Sequence, residues 1–290
     1  MKSNLTRANY LIIPAIAFTL FVFSGCSKDN PIEPQETTDV ALNADVAESV
    51  ASSVGEEDGG LTDQIGDLFD LTASQGLGKS SEASFLDKKE ATYDSASGIW
   101  TIELTRERGN PVGTYYANIK RTYTCQFLNV DGQPQKFYIT GSDTAHTIKF
   151  DILEGEGRHK TKRLSQELHE LEGSFVATGT NTDIITVNGT YKRSAADTLT
   201  TLKMTRTHDH TLELTITDLT GPRGSRRNLS QKVSGTITGT YHADITFDGK
   251  KGYAEKTVDR SINIVIGNGE SEISVAGEKY KGDLMTGEIE

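Results

Sequence analysis

Cysteine, methionine and tryptophan are scarce in this chain of 290 residues, which has two, three and one of them. The two cysteines, Cys26 and Cys125, exclude the disulfide framework that stabilises many small secreted domains. A basic excess is also missing, because 30 Lys and Arg face 41 Asp and Glu. Without a basic stripe to meet phosphates, nucleic acid is not expected as a partner.

Long apolar runs are absent except for Tyr10–Phe23, which contains no charged residue. Its 14 residues would span about 21 Å as a helix, less than the roughly 30 Å of a bilayer's hydrocarbon core. Two cations, Lys2 and Arg7, precede the run, and Ser-Gly-Cys at 24–26 follows it. A charged start, a short apolar middle and small residues afterwards are typical of a secretory signal peptide.

The segment that ends in Cys26 resembles the lipobox of bacterial lipoproteins, four positions that end in an obligatory cysteine. The resemblance implies that residues 1–25 are removed as a signal peptide, and that Cys26 carries a diacylglycerol thioether and an acylated amine. Two or three acyl chains hold a protein durably on a bilayer, whereas one holds it only marginally. Ser27 resembles the signal that sends Gram-negative lipoproteins to the outer membrane, and Lys28-Asp29 resembles part of a surface-export tag. We therefore expect an outer-membrane lipoprotein, anchored by lipid and facing the periplasm or the outside.

Acidic residues are concentrated directly after the signal peptide. Residues 27–80 hold 12 Asp and Glu against two Lys, whereas the remainder of the chain is nearly balanced. Apolar residues at helical spacing within 39–54 and 61–71 predict two short helices. We interpret residues 26–84 as an acidic flexible tether with weak helices. The alternative is a helix that covers the mouth or edge of the domain that follows.

From residue 85 onward the hydrophobic period changes to two. Alternation is clearest in GIWTIELTR, AHTIKFDIL, HTLELTIT, YHADITF and SINIVIG. Such alternation is typical of antiparallel strands with one solvated face. Turn signals fall at Asp131-Gly132, Asn188-Gly189, Asp248-Gly249 and Gly267-Asn268-Gly269.

The sequence therefore predicts an all-β domain over residues 85–290, an antiparallel meander of roughly a dozen strands. A meander of this size must close on itself or cover its edges. We expect first a closed or nearly closed barrel, and second a strongly curved sheet with the leader helix across its concave face. A two-sheet sandwich is the third alternative.

Three histidines are candidates for the rim of a ligand or metal site. His208 and His210 have the spacing that places two side chains on one face of a strand, and His146 precedes another inward-facing run. Because residues 198–218 exceed an ordinary strand, the sequence predicts a turn at 207–210 that leaves both histidines at a solvated tip. The alternatives are a metal site and a ligand-pocket rim that includes His146.

Three hydroxyl residues are candidates for modification. Ser95, Thr144 and Thr198 each follow an aspartate and precede an aliphatic residue. These tripeptides resemble the O-glycan acceptor pattern of some exported proteins of Gram-negative bacteria. We expect all three in turns, where Asp-Ser and Asp-Thr are also ordinary turn starters.

Motifs for catalysis are missing, so the sequence predicts no enzyme, no catalytic residue, no metal and no cofactor. Neither G-x-S-x-G nor a P-loop occurs, and HELEG at 169–173 has Gly where a zinc-protease motif needs its second His. The basic runs RHKTKR at 158–163 and GPRGSRR at 221–227 predict solvated loops. The alternative is that they dock against lipid phosphates or anionic sugars.

Two functions stay open from sequence. The β domain is either a binding module, for a lipid or another apolar ligand inside the barrel, or a structural or adhesion module that works through its outer face. Its expected partners are the membrane, through the anchor, and an apolar ligand or an envelope protein.

Overall fold

The computed structural model describes residues 39–72, 88–201, 204–224, 229–249 and 252–290. The signal peptide expected at residues 1–25 and Cys26 lie outside these ranges. Two helices come first, α1 (Asp39–Val54) and α2 (Leu61–Asp70). The strands are β1 (Lys88–Asp94), β2 (Ile99–Gly109), β3 (Tyr116–Leu128), β4 (Pro134–Gln135), β5 (Ile139–Thr140), β6 (Asp143–Thr144), β7 (Thr147–Lys160), β8 (Leu164–Thr178), β9 (Ile184–Thr200), β10 (Met204–Pro222), β11 (Ser234–Gly249), β12 (Gly252–Gly267), β13 (Glu270–Val275) and β14 (Glu278–Asp283).

Twelve of these strands form one antiparallel sheet whose order follows the chain, and β5 and β6 form a separate ribbon. The main path runs β1-β2-β3-β7-β8-β9-β10-β11-β12-β13-β14, with β4 attached to β3. Inward positions are apolar and outward positions are rich in threonine and charge, which is the pattern of a sheet with one covered face. The predicted all-β meander of roughly a dozen strands is confirmed. Within the described ranges, no helix is long and apolar enough to cross a membrane.

The sheet curves strongly without closing, and β1 and β14 are its two ends. The connection between α1 and α2 bridges distant parts of it. The Glu56 N–H donates to Leu284 O at 2.8 Å, and the Glu56 carbonyl accepts from Arg108 Nη1 at 2.8 Å. One residue thus joins the end of β2 to the segment after β14, so the two outer regions of the sheet are held together through the helical leader.

Both helices lie in the same hydrophobic core as the sheet. Leu42, Val46 and Val50 of α1 are buried, as are Leu68 and Phe69 of α2. The interpretation as a flexible tether placed these helices outside the β domain, whereas the structure packs them inside it. The physical reason is that the inward apolar face of a curved sheet needs a cover, and the leader provides apolar stripes of the right spacing.

Strand β10 runs unbroken through residues 207–210, so the predicted turn there is wrong. It pairs with β9 on one side and β11 on the other, which satisfies its backbone over an unusual length. A bulge near Asp218 (φ 48°) shifts the register of this long strand against both of its neighbours. Asn188-Gly189, read as a turn signal, lies inside β9 beside the bulge, where Asn188 Oδ1 accepts the Asp218 N–H at 2.8 Å.

Candidate ligand-binding cleft

Residues 39–72 contain nine Asp and Glu and no Lys, Arg or His, and the inner face of the sheet supplies the opposite charge. Asp63 on α2 is the most enclosed of these acids. Its Oδ2 lies 2.6 Å from Arg106 Nη1 and 2.5 Å from Arg121 Nη2. Its Oδ1 lies 3.0 Å from Arg108 Nη2. The three guanidinium groups fix α2 against β2 and β3.

Helix α1 is held in the same way, by ion pairs in which the helix supplies the acidic side chain and the β domain supplies the arginine. Asp45 Oδ2 lies 2.9 Å from Arg206 Nε, and Glu48 Oε2 lies 3.0 Å from Arg163 Nη2. Burial raises the pKa of Asp45 to about 6, because the loss of water outweighs the attraction of Arg206. Burial also raises the pKa of Glu48. Both carboxyl groups therefore ionise less readily than exposed ones.

His208 and His210 lie on β10 and are buried against α1 and β11 rather than exposed at a tip. His208 Nδ1 lies 3.1 Å from Tyr241 Oη, and the His210 ring stacks on the Tyr241 ring with 4.8 Å between centroids. His210 Nδ1 is 3.6 Å from Asp197 Oδ2, which also accepts a hydrogen bond from the hydroxyl of Ser49. Burial lowers the pKa of His208 to about 4 and lowers the pKa of His210 as well, so both rings are neutral at pH 7.

His146 is not near this pair. It lies directly before β7, at the end of the sheet where β8 ends, because the first residue of β7 pairs with the last residue of β8. His208 instead aligns, through Asp197 of β9, with Gln166 near the first residue of β8. The candidate rim residues therefore lie at opposite ends of β8. Among the residues that the structure describes, no group of three His, Cys, Asp or Glu is placed to hold a metal ion.

Only one of the three candidate glycan acceptors lies in a turn. Ser95 is exposed between β1 and β2. Thr144 is half-buried in β6, and Thr198 lies in β9 between Ser165 of β8 and Thr207 of β10. The expectation of turns is wrong for the two threonines, because strand pairing on neighbouring segments outweighs the local tendency of Asp-Thr to start a turn.

A cleft of about 630 Å³ opens where β7 turns into β8. One face of α1, residues 114–115 before β3, the β7–β8 turn and residues 287–290 form its walls. A cleft of this volume suits a small ligand, and half of the residues that line it are charged residues or histidine. The charged residues that line it are Asp45, Glu48, Asp58, His159, Lys162, Arg163, Glu288 and Glu290.

Three side chains from three elements meet in this cleft. Ser52 Oγ on α1 lies 3.1 Å from His159 Nδ1 on β7. His159 Nε2 lies 2.7 Å from Asp58 Oδ1, in the connection between α1 and α2. The Tyr115 ring stands edge-on to the His159 ring, with centroids 5.9 Å apart, and its hydroxyl donates to the Glu57 carbonyl at 3.0 Å. The imidazole is therefore held on three sides.

The sequence pattern did not single out Ser52, Asp58 or His159. His159 was predicted in a solvated loop, whereas β7 continues to Lys160 and buries the imidazole. A register shift against β3, close to Leu153, exchanges the inward and outward positions of β7. The signal for this bulge in the sequence is the loss of alternation after Leu153, where glycines replace apolar residues.

A second concavity, of about 710 Å³, lies on the outer face of the sheet between β7 and β11. Glu172, Lys192 and Glu213 form a cross-strand row in it, on β8, β9 and β10. Gly173 and Gly239 also line it, and at Gly239 the backbone of β10 approaches closely. We call this concavity the outer groove.

No family model, curated protein or solved structure matches this chain. Functional interpretation therefore rests on the geometry of the cleft and of the outer groove. The cleft offers a hydroxyl, an imidazole and a carboxylate, with the imidazole in contact with the other two, and Lys162 and Arg163 line its wall. Such groups bind polar ligands through directional hydrogen bonds.

Proposed function

We propose that this protein is a lipoprotein anchored through Cys26 to the outer membrane of a Gram-negative bacterium, and that its β domain binds a small polar ligand in the cleft. The observation that supports binding is the convergence of Ser52, His159 and Asp58 in a cleft of about 630 Å³. Pockets of about 300–1,000 Å³ with a few convergent polar groups commonly hold small ligands. The anchor rests on the lipobox resemblance at residues 23–26.

A lipid or other apolar ligand, expected from sequence inside the barrel, has less support. The inner face of the sheet is covered by α1 and α2, whose Val46, Val50 and Phe69 belong to the shared core. An apolar ligand there would have to displace both helices together with the buried ion pairs of Asp63. The cleft, which is open, has a charged lining.

Native mass spectrometry tests this function. The protein is residues 26–290 with Cys26→Ser, which keeps both core helices, incubated separately with water-soluble and lipid extracts of bacterial envelopes. We expect a non-covalent adduct from the water-soluble extract that is lost in Lys162→Glu, a change in the cleft wall. The matched control is Lys279→Glu on β14, an exposed position paired with Glu272. An adduct from the lipid extract alone would contradict a polar ligand.

The second candidate is a structural or adhesion module that works through its outer face. The observation in its favour is the outer groove, where Lys192 lies between Glu172 and Glu213. A folded protein partner from the envelope would contact this row of alternating charge. Crosslinking in intact envelopes tests it: Lys192→Glu would abolish a specific crosslinked species, while Lys279→Glu would not.

The anchor is tested separately. In cells, Cys26→Ser is expected to abolish labelling with an alkyne fatty acid and to move the protein from the membrane fraction to the soluble periplasmic fraction. Protease added to intact cells distinguishes the two orientations, because only an outward-facing domain is degraded. Retention of Cys26→Ser in the membrane fraction would contradict lipid anchoring.

A further inference from the structure

We propose that the cleft is a hydrolytic site in which Ser52 is the nucleophile, His159 the general base and Asp58 the residue that orients the imidazole. This inference rests on the proposed binding of a polar ligand in the same cleft. It goes beyond binding, and beyond the non-enzymatic module expected from sequence. The contact chain Ser52–His159–Asp58 carries it, because a hydroxyl, an imidazole and a carboxylate in series form the known arrangement of an activated nucleophile.

The serines of α1 show that Ser52 is placed differently from its neighbours. Ser53 Oγ donates to the Ser49 carbonyl at 2.7 Å, the usual way a helical serine satisfies its hydroxyl. Ser49 donates to Asp197 inside the core. Ser52 instead lies 3.1 Å from His159 Nδ1, and of these three serines it alone lines the cleft. The chain therefore carries its own matched controls, one and three positions away.

The contacts of His159 determine where its proton lies. Nε2 lies 2.7 Å from Asp58 Oδ1, an ion-pair distance at which the two atoms are not aligned as a hydrogen bond. The negative charge of the carboxylate favours the neutral tautomer that carries its proton on Nε2. Nδ1 then presents its lone pair to the Ser52 hydroxyl at 3.1 Å. Either imidazole nitrogen can act as a base, and the partner of the other nitrogen selects which one does.

The C-terminal segment closes one side of this chain of contacts. At Gly287 (φ +67°) a Cβ atom would lie 2.9 Å from the Ser52 Cα and would overlap Asp58 Oδ2. Only glycine allows this close approach without moving the helix or the carboxylate. Residues 287–290 then form a wall of the cleft beside the nucleophile.

The reaction is the hydrolysis of an ester in two steps. Ser52 Oγ forms a bond to the acyl carbon as its proton passes to His159 Nδ1, and the acyl carbon–oxygen bond of the ester breaks as that proton passes to the departing alkoxide. Water then gives a proton to Nδ1 and attacks the acyl carbon, which releases the acid and returns the proton to Ser52. One ester and one water become one acid and one alcohol, with no other reactant.

The lining of the cleft indicates the class of ester. Glu48, Glu288 and Glu290 disfavour anionic substrates, since their carboxylates share the cleft. Lys162, which also lines the cleft, provides positive charge for the oxyanion that forms at the acyl carbon. The structure therefore points to a neutral or cationic ester of a polar alcohol rather than a lipid ester or a phosphate ester.

Covalent labelling tests the proposal directly. Residues 26–290 with Cys26→Ser are treated with a small alkyl fluorophosphonate, and adducts are measured by intact mass and peptide mapping. We expect one adduct per chain, on Ser52. It is absent in Ser52→Ala, is retained in Ser49→Ala and Ser53→Ala, and forms at least about 100-fold more slowly in His159→Gln. Circular-dichroism melting confirms that each variant is folded.

A second measurement leaves His159 in place. In Ser52→Cys, an imidazole in contact with the thiol favours the thiolate, so alkylation by iodoacetamide at pH 6 should be at least about 10-fold faster than in Ser53→Cys. The proposal is overturned if the folded protein gives no Ser52 adduct, if Ser52 labels equally in His159→Gln, or if the two cysteine variants alkylate at the same rate.

Failure here is distinguishable from failure of ligand binding. The unsubstituted protein supplies both readouts, the retained water-soluble ligand in native mass spectrometry and the covalent label on Ser52. Binding without labelling would overturn the hydrolytic site and leave the binding module. Labelling of Ser52 without retained ligand would support a catalytic cleft that releases its product.

Discussion

Asp63 on α2 and Arg121 on β3 form an ion pair with 2.5 Å between Oδ2 and Nη2, and both side chains are excluded from solvent. Arg106 and Arg108 contact the same carboxylate. A buried charge is tolerated only when it is paired, so this cluster ties the position of α2 to β2 and β3. The acidity of the leader is thus neutralised within the core, and the leader and the sheet stabilise each other.

Replacing Asp63 with asparagine should strongly destabilise the protein. Asp63→Asn takes one carboxylate from the buried Arg106 and Arg121, which keep their ion pairs with Asp67 at 2.9 and 3.1 Å, and breaking a buried pair costs up to about 3–5 kcal/mol. Urea denaturation at pH 7 measures the free energy of unfolding. The control is Glu272→Gln, which breaks an exposed pair with Lys279 and should cost less than about 1 kcal/mol. Similar losses in both variants would contradict a stabilising cluster.

Acid should weaken the fold through His208. Its folded pKa of about 4 lies below the ordinary value of 6.5, so the unfolded chain binds more protons between these pH values. The free energy of unfolding therefore falls as pH falls through this window, by about 2 kcal/mol from pH 7 to pH 5. His208→Gln should lose less stability over this range than the natural chain. His242→Gln should bring no such relief, because the hydrogen bond that this exposed ring donates to Asp259 raises its pKa.

Asp45 should act in the opposite direction. Burial raises its folded pKa to about 6 from the ordinary 3.8, so the folded chain binds more protons between these values. The free energy of unfolding therefore rises from this carboxyl as pH falls from 7 to 5, by about 1 kcal/mol. Asp45→Asn removes that gain, and its stability should fall more steeply with acid than that of the natural chain. An unchanged pH slope would contradict the raised pKa.

Glycine is required on β11 where the outer groove forms. A Cβ atom at Gly239 would overlap the Glu213 carbonyl and lie 2.8 Å from a Leu214 methyl. Gly239→Ala should lower the free energy of unfolding by about 2–3 kcal/mol, because a well-packed site must move to admit the methyl group. Gly267→Ala, where no atom lies within 4 Å of the new Cβ, should be nearly neutral. Thermal denaturation of the two variants provides the comparison.

The sheet was predictable because its alternation is repeated in many strands. Ile148, Phe150 and Ile152 show the inward parity of β7 as clearly in the sequence as in the structure. Beyond Leu153 the parity reverses at a bulge, which a period-two pattern cannot report. His159 was therefore assigned to the wrong environment, and the contacts of the cleft went unseen.

The buried histidines also show what could not be predicted from the sequence. His208 and His210 follow the inward parity of Leu212, and that parity proved correct. Residues 198–218 exceed the length of an ordinary strand, which favoured a turn at 207–210. A strand can be this long when neighbouring strands provide partners for its backbone hydrogen-bonding groups. Since β9 and β11 both extend along β10, the strand continues and the histidines stay inside.

By itself, the sequence determined the class of fold, the number of strands and the acidity of the leader, because period-two alternation and charge segregation are local properties that repeat along the chain. Only the tertiary structure decided where the leader lies and which side chains meet. Ser52, Asp58 and His159 come from a helix, a connection and a strand, and their contact depends on a bulge and on the docking of α1. Such contacts join residues up to 107 positions apart, so no local pattern encodes them.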